Sequence, residues 1–185
     1  NAADLGMPQL ALTLTDSVTR AGDTLGPDHP STLASRNNLA EAYCDAGRLD
    51  DAITLHRQTL EDHTRILGPH HPDTLTSRNN LASAYQDAGR LDDAITLYEQ
   101  TLEDRTRILG PHHPSTLTSR NNLAYAYQDA GRLDDAITLY EQTLEDRTRI
   151  LGPHHPSTLT SRNNLAYAYQ DAGRLDDAIT LYEQT

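Results

Sequence analysis

Residues 111–152 read PHHPSTLTSRNNLAYAYQDAGRLDDAITLYEQTLEDRTRILG, and this stretch of 42 residues decides the fold. The motif AGRLDDAITL inside it begins at Ala130 and recurs at Ala46, Ala88 and Ala172, a step of 42 each time. Residues 111–143 and 153–185 are identical at all 33 positions. A fainter copy opens the chain, where Leu25-Gly26-Pro27-Asp28-His29-Pro30 aligns with Leu67-Gly68-Pro69-His70-His71-Pro72. Periods of about 20–50 residues belong to repeat architectures, in which one unit buries its apolar face only by stacking on its neighbours. The expected organisation is a degenerate half repeat over 1–28, then repeats over 29–68, 69–110, 111–152 and 153–185, the last truncated in its second helix.

Each repeat reads as two helices, A and B. Pro114 suits a first helical position, where its missing N–H would be unpaired anyway, and makes His113 the N-cap. Leu117, Leu123, Ala124 and Tyr127 follow at helical spacing, and Gly131 fits a left-handed stop. Helix B begins near Leu133, with Asp134 and Asp135 in the first turn where the helix dipole favours acids. Gly152-Pro153 ends it. Helix A is expected over about 72–88, 114–130 and 156–172, and helix B over 91–109 and 133–151.

A helical wheel turns Leu117, Arg120, Leu123, Ala124 and Tyr127 of helix A toward helix B. Ser119, Asn122, Ala126 and Ala130 form a small-residue face for the next helix A. Thr118, Asn121, Tyr125, Gln128 and Asp129 remain, and in a stack of repeats they line one inner surface.

Composition narrows the function classes. The net charge of −12 argues against nucleic acid, whose phosphates need a basic face. No apolar run approaches the roughly 20 residues of a membrane-spanning helix, so no membrane partner is expected. Cys44 is the only cysteine, which points to a reducing, cytoplasmic setting and excludes an internal disulfide. The sequence starts without Met and stops in mid-pattern, as expected of a piece of a larger protein.

Asn-Leu-Ala-x-Ala-Tyr, then Ala-Gly-Arg-Leu-Asp-Asp-Ala, then Leu-Tyr-Glu-Gln-Thr-Leu resembles a tetratricopeptide repeat. The 42-residue period, with Asn-Asn-Leu-Ala and Leu-Gly-Pro-His-His-Pro, is similar to the kinesin light chain type, and arrays in bacterial signalling and regulatory proteins look alike. The resemblance covers about residues 7–185. It implies an all-α fold, a right-handed α-α solenoid of helix pairs, with helix A lining a concave groove that binds protein or peptide segments.

On that groove the candidate peptide-binding residues are Asn79, Asn121, Tyr125, Gln128, Asp129, Asn163, Tyr167 and Gln170. Side-chain amides serve both donors and acceptors of an extended backbone, and tyrosine offers a flat apolar face with a polar tip. Where related grooves that take acidic ligands carry basic residues, this chain has a row of Asp45, Asp87, Asp129 and Asp171, and it has no lysine at all. A basic or neutral segment is the expected partner.

The remaining polar patterns read as structural. Asn38, Asn80, Asn122 and Asn164 are expected to tie adjacent repeats. Arg36, Arg78, Arg120 and Arg162 stand on the core face and need partners, either Glu61/Asp62, Glu103/Asp104 and Glu145/Asp146 of the preceding helix B, or solvent reached by snorkelling. The pairs His70-His71, His112-His113 and His154-His155 sit on turns, too far apart between repeats to share a metal. No cofactor and no catalytic cluster is expected, because the polar residues recur as ladders whereas an active site needs one convergent set. The rival to a binding scaffold is a structural spacer or self-assembling rod, joined head to tail through unlike apolar ends.

Overall fold

A computed structural model describes residues 18–20 and 22–183. Its helices are α1 (Pro30–Asp45), α2 (Leu49–Leu67), α3 (Pro72–Asp87), α4 (Leu91–Leu109), α5 (Pro114–Asp129), α6 (Leu133–Leu151), α7 (Pro156–Asp171) and α8 (Leu175–Glu183). No strand occurs among the described residues. Residues 18–20 and 22–25 are also helical, and most of the half repeat expected over 1–28 lies outside the described residues. The chain forms two compact units, residues 1–97 and 98–185, which divide within α4.

Local chemistry sets the boundaries. Every helix A starts with proline, and the histidine before it is extended and caps the helix: Nδ1 of His113 accepts from Ser115 N at 3.1 Å. The same bond joins Ser31 to His29, Asp73 to His71 and Ser157 to His155. An imidazole thus satisfies one of the orphan N–H groups that Ser or Asp more often caps. At the other end Gly131 has φ of 73°, and its N–H and that of Arg132 reach back to the carbonyls of Gln128 and Tyr127 at 2.9 and 2.8 Å. This is the Schellman pattern, which only a residue free of a Cβ adopts without strain.

In the first unit α1 packs on α2 and α3, and α2 on α3. In the second, α6 lies against both α5 and α7, and α8 packs on α7. The core is small residues and branched aliphatics around single tyrosines. Leu117, Leu123, Ala124, Ala136, Ile137 and Tyr140 are buried in the second unit, with Tyr140 1% exposed. Full burial of one such side chain stabilises by about 1.5–3 kcal/mol.

Two expectations need correction. Arg120 pairs with Asp146 at 2.8 Å and Arg36 with Asp62 at 2.6 Å, so the partner acid lies on the following helix B of the same repeat, not the preceding one. The reason is the face: Arg120 shares the side of α5 that carries Leu123 and Tyr127. The small-residue face is also not reserved for the next helix A. Ser119 and the Ser115 carbonyl accept from Arg105 of the preceding helix B, at 2.8 and 3.2 Å.

Candidate functional site

In the second unit α5, α6 and α7 bring Tyr125, Gln128, Tyr140, Asn164, Tyr167 and Asp171 around a cleft of about 220 Å³. Tyr125 and Tyr167 stand one repeat apart and are the exposed aromatic faces, at 53% and 57%. Tyr167 meets Tyr182 of α8 edge to face, centroids 6.4 Å apart, which fixes its ring. Gln128 Nε2 donates to the Asp171 carboxylate across the α5–α7 seam. Asn164 Nδ2 donates to Asn121 Oδ1 at 3.0 Å on the same seam.

Of the residues read from sequence as binding, Tyr125, Gln128 and Tyr167 line this cleft. Asn121 is half-buried and already engaged by Asn164, while Asp129, Asn163 and Gln170 are on the same two helices but outside the cleft lining. Gln170 and Asn163 are exposed, and so is Asp129. Asn79 is half-buried on α3 in the first unit. Asn164, read as a tie between repeats, makes that tie and lines the cleft as well.

The site is electronegative. Burial raises the pKa of the Tyr140 hydroxyl, and Tyr125, Asp129 and Asp171 nearby raise it further. In the first unit Glu41 is raised by burial and then by Asp45 and Asp87. The same environment pushes the Cys44 thiol up to about 11, so it is a protonated thiol at neutral pH. Among the described residues no group of three or more His, Cys, Asp or Glu converges to hold a metal, and no helix is long and apolar enough to cross a membrane.

Sequence reading missed a second set of contacts. The arginine of each Ala-Gly-Arg-Leu turn stacks on the last tyrosine of helix A: Arg132 lies 4.0 Å above the Tyr127 ring, and Arg174 lies 4.2 Å above Tyr169. Arg132 also binds Asp135 at 2.7 Å. The Tyr127 hydroxyl donates to Glu99 at 2.7 Å and that of Tyr169 to Glu141 at 2.6 Å. Burial and then these bonds push both tyrosines up to about 12. In the first unit Arg57 stands where Glu99 stands later, and it donates to Tyr85 at 3.0 Å, so the polarity reverses. The signal was the fixed Arg–Tyr spacing of five residues in every repeat.

Comparison with known proteins gives the family. None of the curated proteins searched matches the chain. Among solved structures, a kinesin light chain candidate of Podosopora anserina with nearly identical TPR-like repeats is 36% identical, with a TM-score of 0.81 over 96% of this chain and 84% of that one. BtubC from P. vanneervenii is similar in fold alone, at 22% identity and a TM-score of 0.78 over 97% of this chain and 71% of that one. MamA shares the fold at 19% identity and a TM-score of 0.58, over 89% of this chain and 82% of its own. The tetratricopeptide repeat model matches residues 3–61, 31–105, 76–147 and 116–185, so the helix pairs, their caps and their 42-residue step place this chain in the tetratricopeptide repeat family, with the all-α helix-pair fold of kinesin light chain-like arrays.

Proposed function

We propose that this chain is a non-catalytic scaffold that binds an extended peptide segment along helix A, at Tyr125, Gln128, Tyr167 and Asp171. Tetratricopeptide repeats are in general protein–protein interaction modules, and the finer reading is about this face. The observation that carries it is a pair of exposed tyrosine faces one repeat apart, with a carboxylate and amides between them. Rigid aromatic faces gain contact area at little entropic cost. Asp129 and Asp171 favour a basic or neutral segment over an acidic one. The lone thiol Cys44 agrees with a cytoplasmic protein.

Isothermal titration against an array of immobilised basic, neutral and acidic decapeptides, followed by the best soluble binder, tests this. Tyr125→Ala with Tyr167→Ala should weaken binding about tenfold or more without lowering Tm, since both rings are exposed. Unchanged affinity in that double variant, or preference for acidic peptides, sinks the reading.

A self-assembling array is the second reading, and one observation favours it. Leu175, Ile179 and Tyr182 of α8 are 58%, 55% and 37% exposed, whereas Ile137 and Tyr140, their counterparts in α6, are buried. The sequence expectation put the bare surface on Leu165 and Tyr169, but both of these are buried. The face that α8 leaves uncovered is the one that α6 uses to meet the helix after it.

A further inference from the structure

The first unit holds a cavity of about 280 Å³ between the start of α1, the end of α2 and the start of α3. It lies at the opposite end of helix A from the tyrosine cleft. The second unit has the same cavity 84 residues on, reduced to about 90 Å³. The apolar wall is common to both: Leu33, Ile66 and Leu67 answer to Leu117, Ile150 and Leu151. Four lining positions differ. Asp28, Ala34, His63 and Asp73 replace His112, Thr118, Arg147 and Ser157.

These four changes act in one direction. Ala34 and His63 are smaller than what they replace, and the space opens. With His63 neutral, each of the other changes and the loss of Arg147 removes positive or adds negative charge: His to Asp, Arg to His and Ser to Asp, a swing of three units. The later repeat shows what belongs there. Arg147 projects into the smaller cavity, and its guanidinium donates to the Ser157 carbonyl at 3.2 Å and to Ser161 Oγ at 2.7 Å. In the first unit the shorter His63 reaches only Ser77 Oγ, at 2.7 Å. The volume of the guanidinium stays open, beside a carboxylate that the later repeat lacks.

We propose that this cavity binds the arginine side chain of a partner protein, taking from outside the guanidinium that the later repeat supplies from its own chain. Asp73 is the receiving carboxylate. Its nearest ring, His71 Nδ1, is 3.8 Å away, beyond hydrogen-bond range, so both oxygens face outward demand. Asp28 is already bound by Arg65 and holds the rim. Ile66 and Leu67, both 39% exposed, offer a surface for the aliphatic stem. Asn37 also lines the cavity, and its side-chain oxygen finds no donor within the protein. Burial holds His63 below its ordinary pKa, so the ring brings no charge against a cation at neutral pH. A planar, donor-only fork suits this set better than an ammonium, because it can bind a carboxylate with two parallel bonds.

The site does not depend on the tyrosine cleft, and the test separates them. The 15N-labelled 185-residue chain is titrated with a blocked tripeptide carrying a central arginine, and with its citrulline, lysine and leucine counterparts. The expected result is a saturable set of amide shifts around Leu33, His63 and Asp73, with citrulline and leucine at least tenfold weaker. His63→Arg should abolish binding by filling the cavity from within, and it should fold, since Arg105 and Arg147 occupy that position in the later repeats. Asp73→Ser should weaken binding about tenfold, and Tyr125→Ala with Tyr167→Ala should leave it unchanged. Several results overturn the proposal: no shifts up to the solubility limit, equal binding of the leucine peptide, undiminished affinity in His63→Arg, or shifts centred on Tyr125 and Tyr167. A dimer of the free chain that His63→Arg dissociates would also overturn it, by giving the cavity to a second copy.

Discussion

His56 takes the place that Tyr98 and Tyr140 hold in the later repeats, and it is 1% exposed with neither ring nitrogen hydrogen-bonded. Glu41 is 3.7 Å from Nε2, too far for a bond and itself raised by burial, so it does not offset the desolvation. Burial pushes His56 down to about 4 from 6.5. Between those values the unfolded chain binds more protons than the folded one, so stability is complete above pH 6.5 and falls as the pH drops toward 4. Over that window the loss should be about 2–4 kcal/mol, and His56→Tyr should flatten the urea midpoint against pH. An unchanged slope would show that the ring titrates freely. Arg120→Ala is the second test at this scale. Burial opposes the charge of Asp146, yet bonds from Arg120 and Arg149 outweigh it and hold the carboxyl below its ordinary range. Removing Arg120 strands that carboxylate, and chemical denaturation should show a loss of about 1–3 kcal/mol. Arg120→Met, of similar length, should recover little if the acid rather than the packing is what suffers. The wheel placed this arginine correctly, but an angle of rotation alone does not say which neighbouring helix offers the acid.

At the scale of the helix, the punctuation was legible. Proline after histidine and glycine after alanine fix the ends, and the described helices A run Pro72–Asp87, Pro114–Asp129 and Pro156–Asp171, within one residue of the expected bounds. Gly131 is the sharpest test, because a Cβ there would meet nothing within 4 Å and only the left-handed φ of 73° opposes it. Gly131→Ala should therefore cost about 1–2 kcal/mol through the backbone alone, with Gly131→Asn less harmful. Thermal melts of the two variants rank them, and equal melts would remove the capping argument. Helix B was harder to read. Glu103-Asp104-Arg105-Thr106-Arg107 looks like a solvated charge run, yet Arg105 is buried, 8% exposed. The available signal was its place seven residues after Tyr98 and four after Thr101, on the stripe that faces inward. Polarity concealed what periodicity offered. The tyrosine cleft was half legible for a related reason: exposure follows from the wheel, whereas the Asn121–Asn164 and Gln128–Asp171 bonds depend on how closely α5 and α7 approach.

For the whole molecule, the uncovered face of α8 predicts association. Sedimentation velocity over a wide concentration range should show growth beyond the monomer, and Leu175→Glu with Ile179→Glu should abolish it, since those two side chains are the most exposed of the large apolar ones. A monomer at every concentration would leave the exposed face without consequence. The packing of α6 carries another implication, for kinetics. Its two neighbours, α5 and α7, share one sequence of 16 residues, PSTLTSRNNLAYAYQD, and α6 touches both. A refolding α6 therefore cannot tell by chemistry which neighbour belongs on which side, and only chain connectivity decides. Stopped-flow refolding should contain a minor slow phase from chains trapped one repeat out of register. The phase should vanish when α7 alone is given the α3 sequence, which restores a difference for the search to act on.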